Sequence, residues 1–472
     1  RSAIMEERTS ANTAELGAAM TRLNAHVIGS VVLTNPLLAE AQASIVRRSQ
    51  DLKLSSALVT QALDLVDTFE AAPSPYGPLF STTGAFRRGS NLGDGRDTQR
   101  AIMSVHQALI DGIFNHNPTL VRDCSASLFA GRAWRTADYY PGPVSLSAGA
   151  STVTHAVQVD ASHPVTWGHP TAFSQTDAKK PLGLYLAPGQ LANVTVPQAA
   201  VSNGGFKVLV GAQTNDNANK NEHRRMDRVT AVFIITQATT LVANPLGGGL
   251  YVLVPYRAEL GMISVQVRGG VAEAPFFRRT HFATTSDAEW LLRRTLSAPW
   301  ADFETDKFML NVPSSWVSAY NDPARILREY DLAMDATAEW GGYPPRLREL
   351  QGVHTLFLQP DLHIKHSAYG IGYPQTNTNY QAARTYNGNH DHWLIQQPTA
   401  WSTCFHELGH SQQRQDATFQ YQGETEAIVN FLWAYVRHTR FGDSFNIAFK
   451  GSFDRAGGVG GYEPDDAAIH WM

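Results

Sequence analysis

The chain has 472 residues, 43% hydrophobic and 17% charged, with a formal net charge of −4. That length exceeds one ordinary core, so two or three domains are expected, and the composition excludes a disordered chain. There is no basic field for nucleic acid, no apolar run of membrane-spanning length, and two cysteines, Cys124 and Cys404, exclude a disulfide scaffold but not a single bridge.

Arg1 does not open a signal peptide, and a chain starting there reads as processed, which favours an exported protein whose leader is gone. The sequon Asn193-Val194-Thr195 is compatible with a secretory route.

The first third, residues 1–144, is expected to be helical. Segments near 13–29, 38–69 and 97–114 are rich in Ala, Leu and Gln, and Leu52, Leu54, Leu58, Leu63, Leu65 and Val66 follow helical steps. A Gly/Arg/Ser-rich stretch over 84–96 reads as a loop. No chemistry is recognisable here, so the region is read as a helical bundle or a module for a protein partner.

From about residue 145 the texture changes. Val144, Leu146, Val153, His155, Val157 and Val159 lie among Ser, Thr and Gly residues, and short strands are expected at 182–186, 192–196, 206–210, 231–236, 249–254 and 262–267. Turn signals separate them: Pro188-Gly189, Asn203-Gly204-Gly205 and Gly247-Gly248-Gly249. This pattern predicts an antiparallel β-sandwich over 145–285. The triple glycine lacks the Lys-Ser/Thr and the following helix of a phosphate loop, and is read as a turn.

After Ser286 helices are expected to return, at 287–296 and at 323–337, where Ile326, Leu327, Tyr330 and Met334 keep helical spacing. A strand-like stretch over 354–373 and a polar loop then lead to the strongest chemical signal in the chain.

That signal is His406-Glu407-Leu408-Gly409-His410. On a helix, positions i and i+4 share a face, so both imidazoles can grip one zinc ion. Glu407 is then placed to act on a metal-bound water as general base. Cys404 is read as a small apolar residue on the far face. A catalytic zinc needs a third protein ligand, and the candidates are Glu424 and Glu426. Ile428, Phe431, Leu432 and Tyr435 are read as one apolar stripe with Glu424 on its side, and Glu426 and Asn430 on the other. Glu424 suits a helix N-terminus, so Glu426 is chosen as ligand.

The implied reaction is zinc-assisted peptide hydrolysis, with Glu407 taking a proton and returning it to the leaving amine. An oxyanion stabiliser is also required, and His363, His366, Tyr369, Tyr373, His390 and His392 are the candidates. Residues 362–369 alternate enough to pair with substrate as an added strand.

Together these residues resemble a known family, the enhancin-like and mucin-degrading zinc metallopeptidases. The likeness rests on the run from His406 to Gln413, on Trp401 before it, and on Thr425-Glu426-Ala427-Ile428-Val429-Asn430 behind it. Further landmarks are Leu184-Tyr185-Leu186-Ala187-Pro188-Gly189, Arg225-Met226-Asp227-Arg228-Val229-Thr230, Asn244-Pro245-Leu246-Gly247-Gly248, Ala298-Pro299-Trp300 and Gly372-Tyr373-Pro374. The resemblance covers roughly residues 145–440. It implies a multidomain α+β protein: an N-terminal helical region (1–144), an accessory β-sandwich (145–285) and a zincin-like mixed α/β catalytic domain (286–472). It further implies one zinc held by His406, His410 and Glu426, with Glu407 as base and secreted or cell-surface glycoproteins, often O-glycosylated mucins, as substrates.

Two departures stand beside it. The chain after Glu426 is shorter than the helical remainder of such a domain, which reads as truncation. No block reads as a separate carbohydrate-binding module. The competing reading is an extracellular structural or adhesive protein that keeps the fold without proteolysis. An aminopeptidase is a third, although no acidic cluster anchors a free amine.

Overall fold

The computed structural model describes residues 2–72, 76–81, 85–114, 126–163, 177–340, 356–363, 368–370, 375–379, 395, 402–410 and 425–453. Four long helices open the chain: α1 (Ser2–Val27), α2 (Asn35–Arg48), α3 (Ser56–Ala71) and α4 (Asp97–Phe114). Their apolar faces meet, with Leu16, Met20 and Leu23 of α1, Ile45 of α2, Leu63 and Val66 of α3, and Ile102 and Val105 of α4 all buried. The segment expected as one helix over 38–69 is two. A 3-10 turn over Ser49–Leu54 breaks it, and Ser55 caps α3 by accepting from Leu58 N.

The loop over 84–96 also contains a strand, β1 (Phe86–Arg87). There follow α5 (Thr136–Tyr139), β2 (Thr154–Ser162), β3 (Ala178–Leu186), β4 (Leu191–Thr195), α6 (Gln198–Asn203), β5 (Lys207–Val210) and β6 (Glu222–His223). Next come β7 (Ala231–Ile234), β8 (Thr239–Ala243), β9 (Gly248–Val254), β10 (Glu259–Gly269) and β11 (Val271–Glu273). One sheet has the order β2-β10-β4-β8 and another β11-β3-β9-β5-β7, while β1 pairs with β6. β8 of the first lies against β5 and β7 of the second, and Val194, Val208, Val242 and Leu250 are buried between such strands. Of the triple glycine only Gly247 precedes β9, and Gly248 and Gly249 open the strand: Gly248 has φ +147, and a Cβ there would stand 2.6 Å from Gly211 N.

The remaining elements are β12 (Phe276–Arg279), α7 (Asp287–Arg293), β13 (Trp300–Thr305), β14 (Phe308–Pro313), α8 (Ser314–Val317), α9 (Pro323–Trp340), β15 (Leu356–Asp361), β16 (Ala368–Gly370) and β17 (Gln375–Asn379). Three helices close the list: α10 (Ser402–His410), α11 (Thr425–Phe441) and α12 (Phe445–Phe453). The strands form a mixed sheet ordered β12-β13-β14-β15-β17-β16, in which β12/β13, β14/β15 and β15/β17 are parallel. Between the helices expected at 287–296 and 323–337 the sequence suggested no strand, and the β13–β14 hairpin lies there. Its strands are buried on both faces, although Ala301 and Phe303 alternate with the polar Asp302 and Glu304. The stretch expected as one strand over 354–373 is two, β15 and β16, with β16 antiparallel to β17.

The chain divides into two compact units. One is Arg1–Gln158 with Leu184–Val252 and Ser264–Glu273; the other is Val159–Gly183 with Leu253–Ile263 and Ala274–Met472. The second unit's apolar core lies between the mixed sheet and its helices, with Phe303, Leu310 and Leu358 against Trp290, Tyr330, Phe405 and Trp433. Phe308 stacks on Tyr330 at 4.1 Å.

The opposite strand positions, Asp302, Glu304, Asn311 and Gln359, are polar yet buried. Lys179 and Lys180 belong to this layer, and both are buried in β3, which begins four residues before the expected strand. The Lys179 ammonium sits 3.8 Å over the Phe357 ring. Burial lowers its pKa to about 7, against the opposing pull of Asp302. Between that value and the ordinary lysine range, the unfolded chain holds a proton that the folded chain releases. Folding stability is therefore expected to rise as pH climbs from about 7 to about 10, by on the order of 3 kcal/mol at about 1.4 kcal/mol per unit. Denaturant titrations at the two ends of that window check it. Lys179→Met should flatten the slope, and an unchanged slope would remove Lys179 as its source.

Candidate metal centre

Two helices build the site. α10 carries His406, Glu407 and His410, and α11 carries Glu426 and Asn430. They can approach closely because position 409 is glycine: a Cβ there would stand 2.8 Å from Leu432 Cδ2 and 3.2 Å from Val429 Cγ1. Beside it Phe405 stacks on Trp433 with centroids 4.5 Å apart and planes 6° apart. These contacts fix which way the histidines turn.

The buried stripe of α11 is Val429, Leu432, Trp433 and Val436. This corrects the expected stripe, since Phe431 is exposed and Ile428 and Tyr435 are half-buried. Packing against α9 and α10 centres the apolar face about one residue further along. Glu426 and Asn430 consequently border the stripe, on the side that meets α10.

At that border three ligand atoms converge. Glu426 Oε2 lies 3.0 Å from His406 Nε2 and 3.3 Å from His410 Nε2, and the two Nε2 atoms are 3.2 Å apart. A tetrahedral zinc bound at about 2.0–2.1 Å separates its ligand atoms by about 3.3 Å. The observed triangle fits that ion. Among the described residues this trio is the group of His, Cys, Asp and Glu side chains able to hold a metal. The imidazoles are largely buried, whereas the Glu426 side chain is 76% exposed, so the site opens to solvent on the carboxylate side.

His406 Nδ1 lies 2.8 Å from Asn430 Oδ1. The amide oxygen accepts, so Nδ1 carries the proton and Nε2 presents its lone pair to the site. Asn430 is 5% exposed, which holds this contact away from competing water. The sequence placed Asn430 on the Glu426 side without giving it a role; its signal is the i+4 spacing from Glu426. Asn430→Ala is expected to weaken zinc binding about 10–100-fold, measured by competition with a chromophoric chelator. Unchanged affinity would show that His406 is oriented without it.

Glu407, the next residue on α10, is half-buried. His363 is buried beyond the end of β15, its backbone N–H donating to Asp361 Oδ1 at 2.9 Å, and it is not part of the trio. Tyr369 is placed in β16 opposite Asn377. Glu424, His366, Tyr373, His390 and His392 lie outside the described residues, as does the Cys404 side chain.

Residues 150–268 match the family profile described as the N-terminal domain of M60-like peptidases, and residues 270–468 match Peptidase M60, enhancin and enhancin-like. The chain is 31% identical over 261 residues to human (Homo sapiens) TRPM8 channel-associated factor 2, covering 55% of this chain and 27% of that protein. To the TRPM8 channel-associated factor homolog of Xenopus laevis it is 30% identical over 267 residues, covering 56% and 28%. The chain thus spans little more than a quarter of the length of these curated relatives. Among solved structures, a functionally unknown conserved protein (a mutant) from Bacillus anthracis str. Ames superposes with a TM-score of 0.50 at 16% identity, over 66% of this chain and 60% of that one. IMPa from Pseudomonas aeruginosa in complex with an O-glycopeptide gives 0.50 at 13% identity, over 86% and 45%, a likeness of fold. No helix among the described residues is long and apolar enough to cross a membrane. With an M60-like N-terminal domain followed directly by an enhancin-like M60 domain, the chain belongs to the M60-like, enhancin-like metallopeptidase family.

Proposed function

We propose that the chain is a zinc-dependent endopeptidase that hydrolyses peptide bonds in extracellular glycoproteins, with O-glycosylated mucin-like chains as substrates. The observation that carries this reading is the convergence of His406, His410 and Glu426 at 3.0–3.3 Å. These three side chains would hold one zinc per chain. When bound there, zinc polarises a carbonyl and acidifies water. Glu407 accepts the proton of the attacking water and returns it to the leaving amine. Asn430 keeps His406 in the tautomer that offers Nε2. Substrate is positioned along β16, which ends the mixed sheet and packs beside α10, so an extended peptide can add to its edge. The O-glycopeptide bound by the related IMPa supports the substrate class.

A second reading has its own support. The curated relatives bear the name of channel-associated factors, which fits a partner-binding protein that keeps the fold without proteolysis. Zinc content and cleavage, measured on one preparation against an O-glycosylated mucin and its unglycosylated peptide, separate the two. The peptidase reading expects one zinc per chain and cleavage of the glycosylated form. Zinc without cleavage favours the partner-binding reading, and a chain that takes up no zinc refutes the ligand set.

A further inference from the structure

In the N-terminal unit, a cavity of about 610 Å³ lies along α2, α4, the segment after β1 and the segment after β6. Such a volume suits a ligand of one or two sugar rings, within the range of small-molecule sites. Its wall carries four arginines, and all four are already paired. Arg88 donates to Asp227 at 2.6 and 3.0 Å, and Arg228 to Asp111 at 2.6 and 2.8 Å. Arg100 pairs with Asp94 and Asp97, and Arg47 with Glu15. An anionic ligand would have to displace one of these carboxylates. Burial would raise the Asp227 carboxyl, yet His223, 3.5 Å away, and the hydrogen bonds from Arg88 hold it well below the usual carboxylate range, so it stays charged and keeps Arg88 in place.

Neutral groups remain. Gln50, Ser90, Asn91 and Ser104 offer amides and hydroxyls to the cavity. Opposite them α2 presents Ala39, Ala43 and Val46 as an exposed apolar strip at steps of four and three residues. Neutral amides and hydroxyls beside a small apolar strip together match the alternating hydroxyl edges and C–H face of a pyranose.

We infer that this cavity is a binding site for a neutral saccharide, separate from the metal centre. It goes beyond the peptidase reading and does not depend on it. The test is titration of the full chain carrying Glu407→Gln, by calorimetry, with N-acetylgalactosamine, galactose, N-acetylglucosamine and lactose, and with sulfate and phosphate as anion controls. One of the sugars is expected to bind with a dissociation constant of about 1 mM or tighter. Ala43→Trp, which fills the cavity from the exposed face of α2, should weaken it at least about tenfold with the melting temperature unchanged. Val46→Trp serves the same purpose should Ala43→Trp misfold. No sugar binding, sugar binding that both tryptophan variants leave intact, or sulfate or phosphate binding that these variants abolish would each overturn the assignment. Because the sugar titration uses no turnover, its outcome is independent of whether the chain cleaves any peptide.

Discussion

Glu407→Gln is expected to lower peptide hydrolysis by about 10²–10⁴-fold, the span general acid–base catalysis supplies, while zinc content stays at the wild-type level. The substitution keeps the shape of the side chain and removes its basicity. Glu407 lies on α10 between the two histidines, but the ligand triangle is made by His406, His410 and Glu426 without it. His410→Ala is the contrasting variant, since it takes one corner from that triangle and should lose metal and activity together. Metal analysis and cleavage assays on both variants check the pair. A Glu407→Gln protein that still cuts at near wild-type rate would end the general-base role.

The second large effect lies far from the metal in sequence and concerns stability. In the N-terminal unit His106 is fully buried, with Nε2 2.8 Å from Glu70 Oε1 and Nδ1 2.9 Å from the Ile102 carbonyl oxygen. The carbonyl oxygen accepts, so Nδ1 donates to it, and Nε2 faces the Glu70 carboxyl. Glu70 also accepts from Thr136 N and Oγ1, each at 2.8 Å. Burial works to raise the Glu70 pKa, but His106 and Thr136 hold it below the ordinary value. Three helices, α3, α4 and α5, are tied at this point. His106→Leu leaves a buried carboxylate uncompensated and should cost about 3–5 kcal/mol. Adding Glu70→Leu should recover part of that loss, because an apolar pair tolerates burial better than a lone charge. By linkage, the Glu70 contribution is present above its ordinary pKa and is lost as pH falls through the lowered one. Denaturant unfolding of the single and double variants measures this, and a single-variant loss under about 1 kcal/mol would show that Glu70 does not depend on His106.

Much of the α+β organisation was legible because local periodicity survives in it. The bounds of α4 and the starts of α7, α9 and β7 fall where apolar spacing and capping residues put them. The sequence failed where environment overrides pattern. Lys179 and Lys180, ahead of the strand expected at 182–186, lie buried in β3 near Asp302 and Glu304, which are far away in the chain. The hairpin of β13 and β14 was passed over although Ala301 and Phe303 alternate with Asp302 and Glu304, and its polar face, with Asn311, is buried as well. Hydrophobic patterning assumes that polar means exposed, and a buried ionic layer breaks that assumption.

At the metal centre the division is sharper. The spacing of His406 and His410 is local: an i, i+4 pair on one helix shares a face whatever surrounds it. Residue types and helical spacing therefore selected the two histidines, Glu407 beside them, and Glu426 over Glu424 for the third ligand. Which face of α11 turns inward was not local. It depended on Gly409 letting two backbones close, on Phe405 stacking against Trp433, and on a buried stripe through Val429 and Trp433. Those contacts bring Glu426 to the histidines and set Asn430 behind His406. Side-chain chemistry and helical spacing are written in consecutive residues, but the rotation of one helix against another is decided only when the core between them packs.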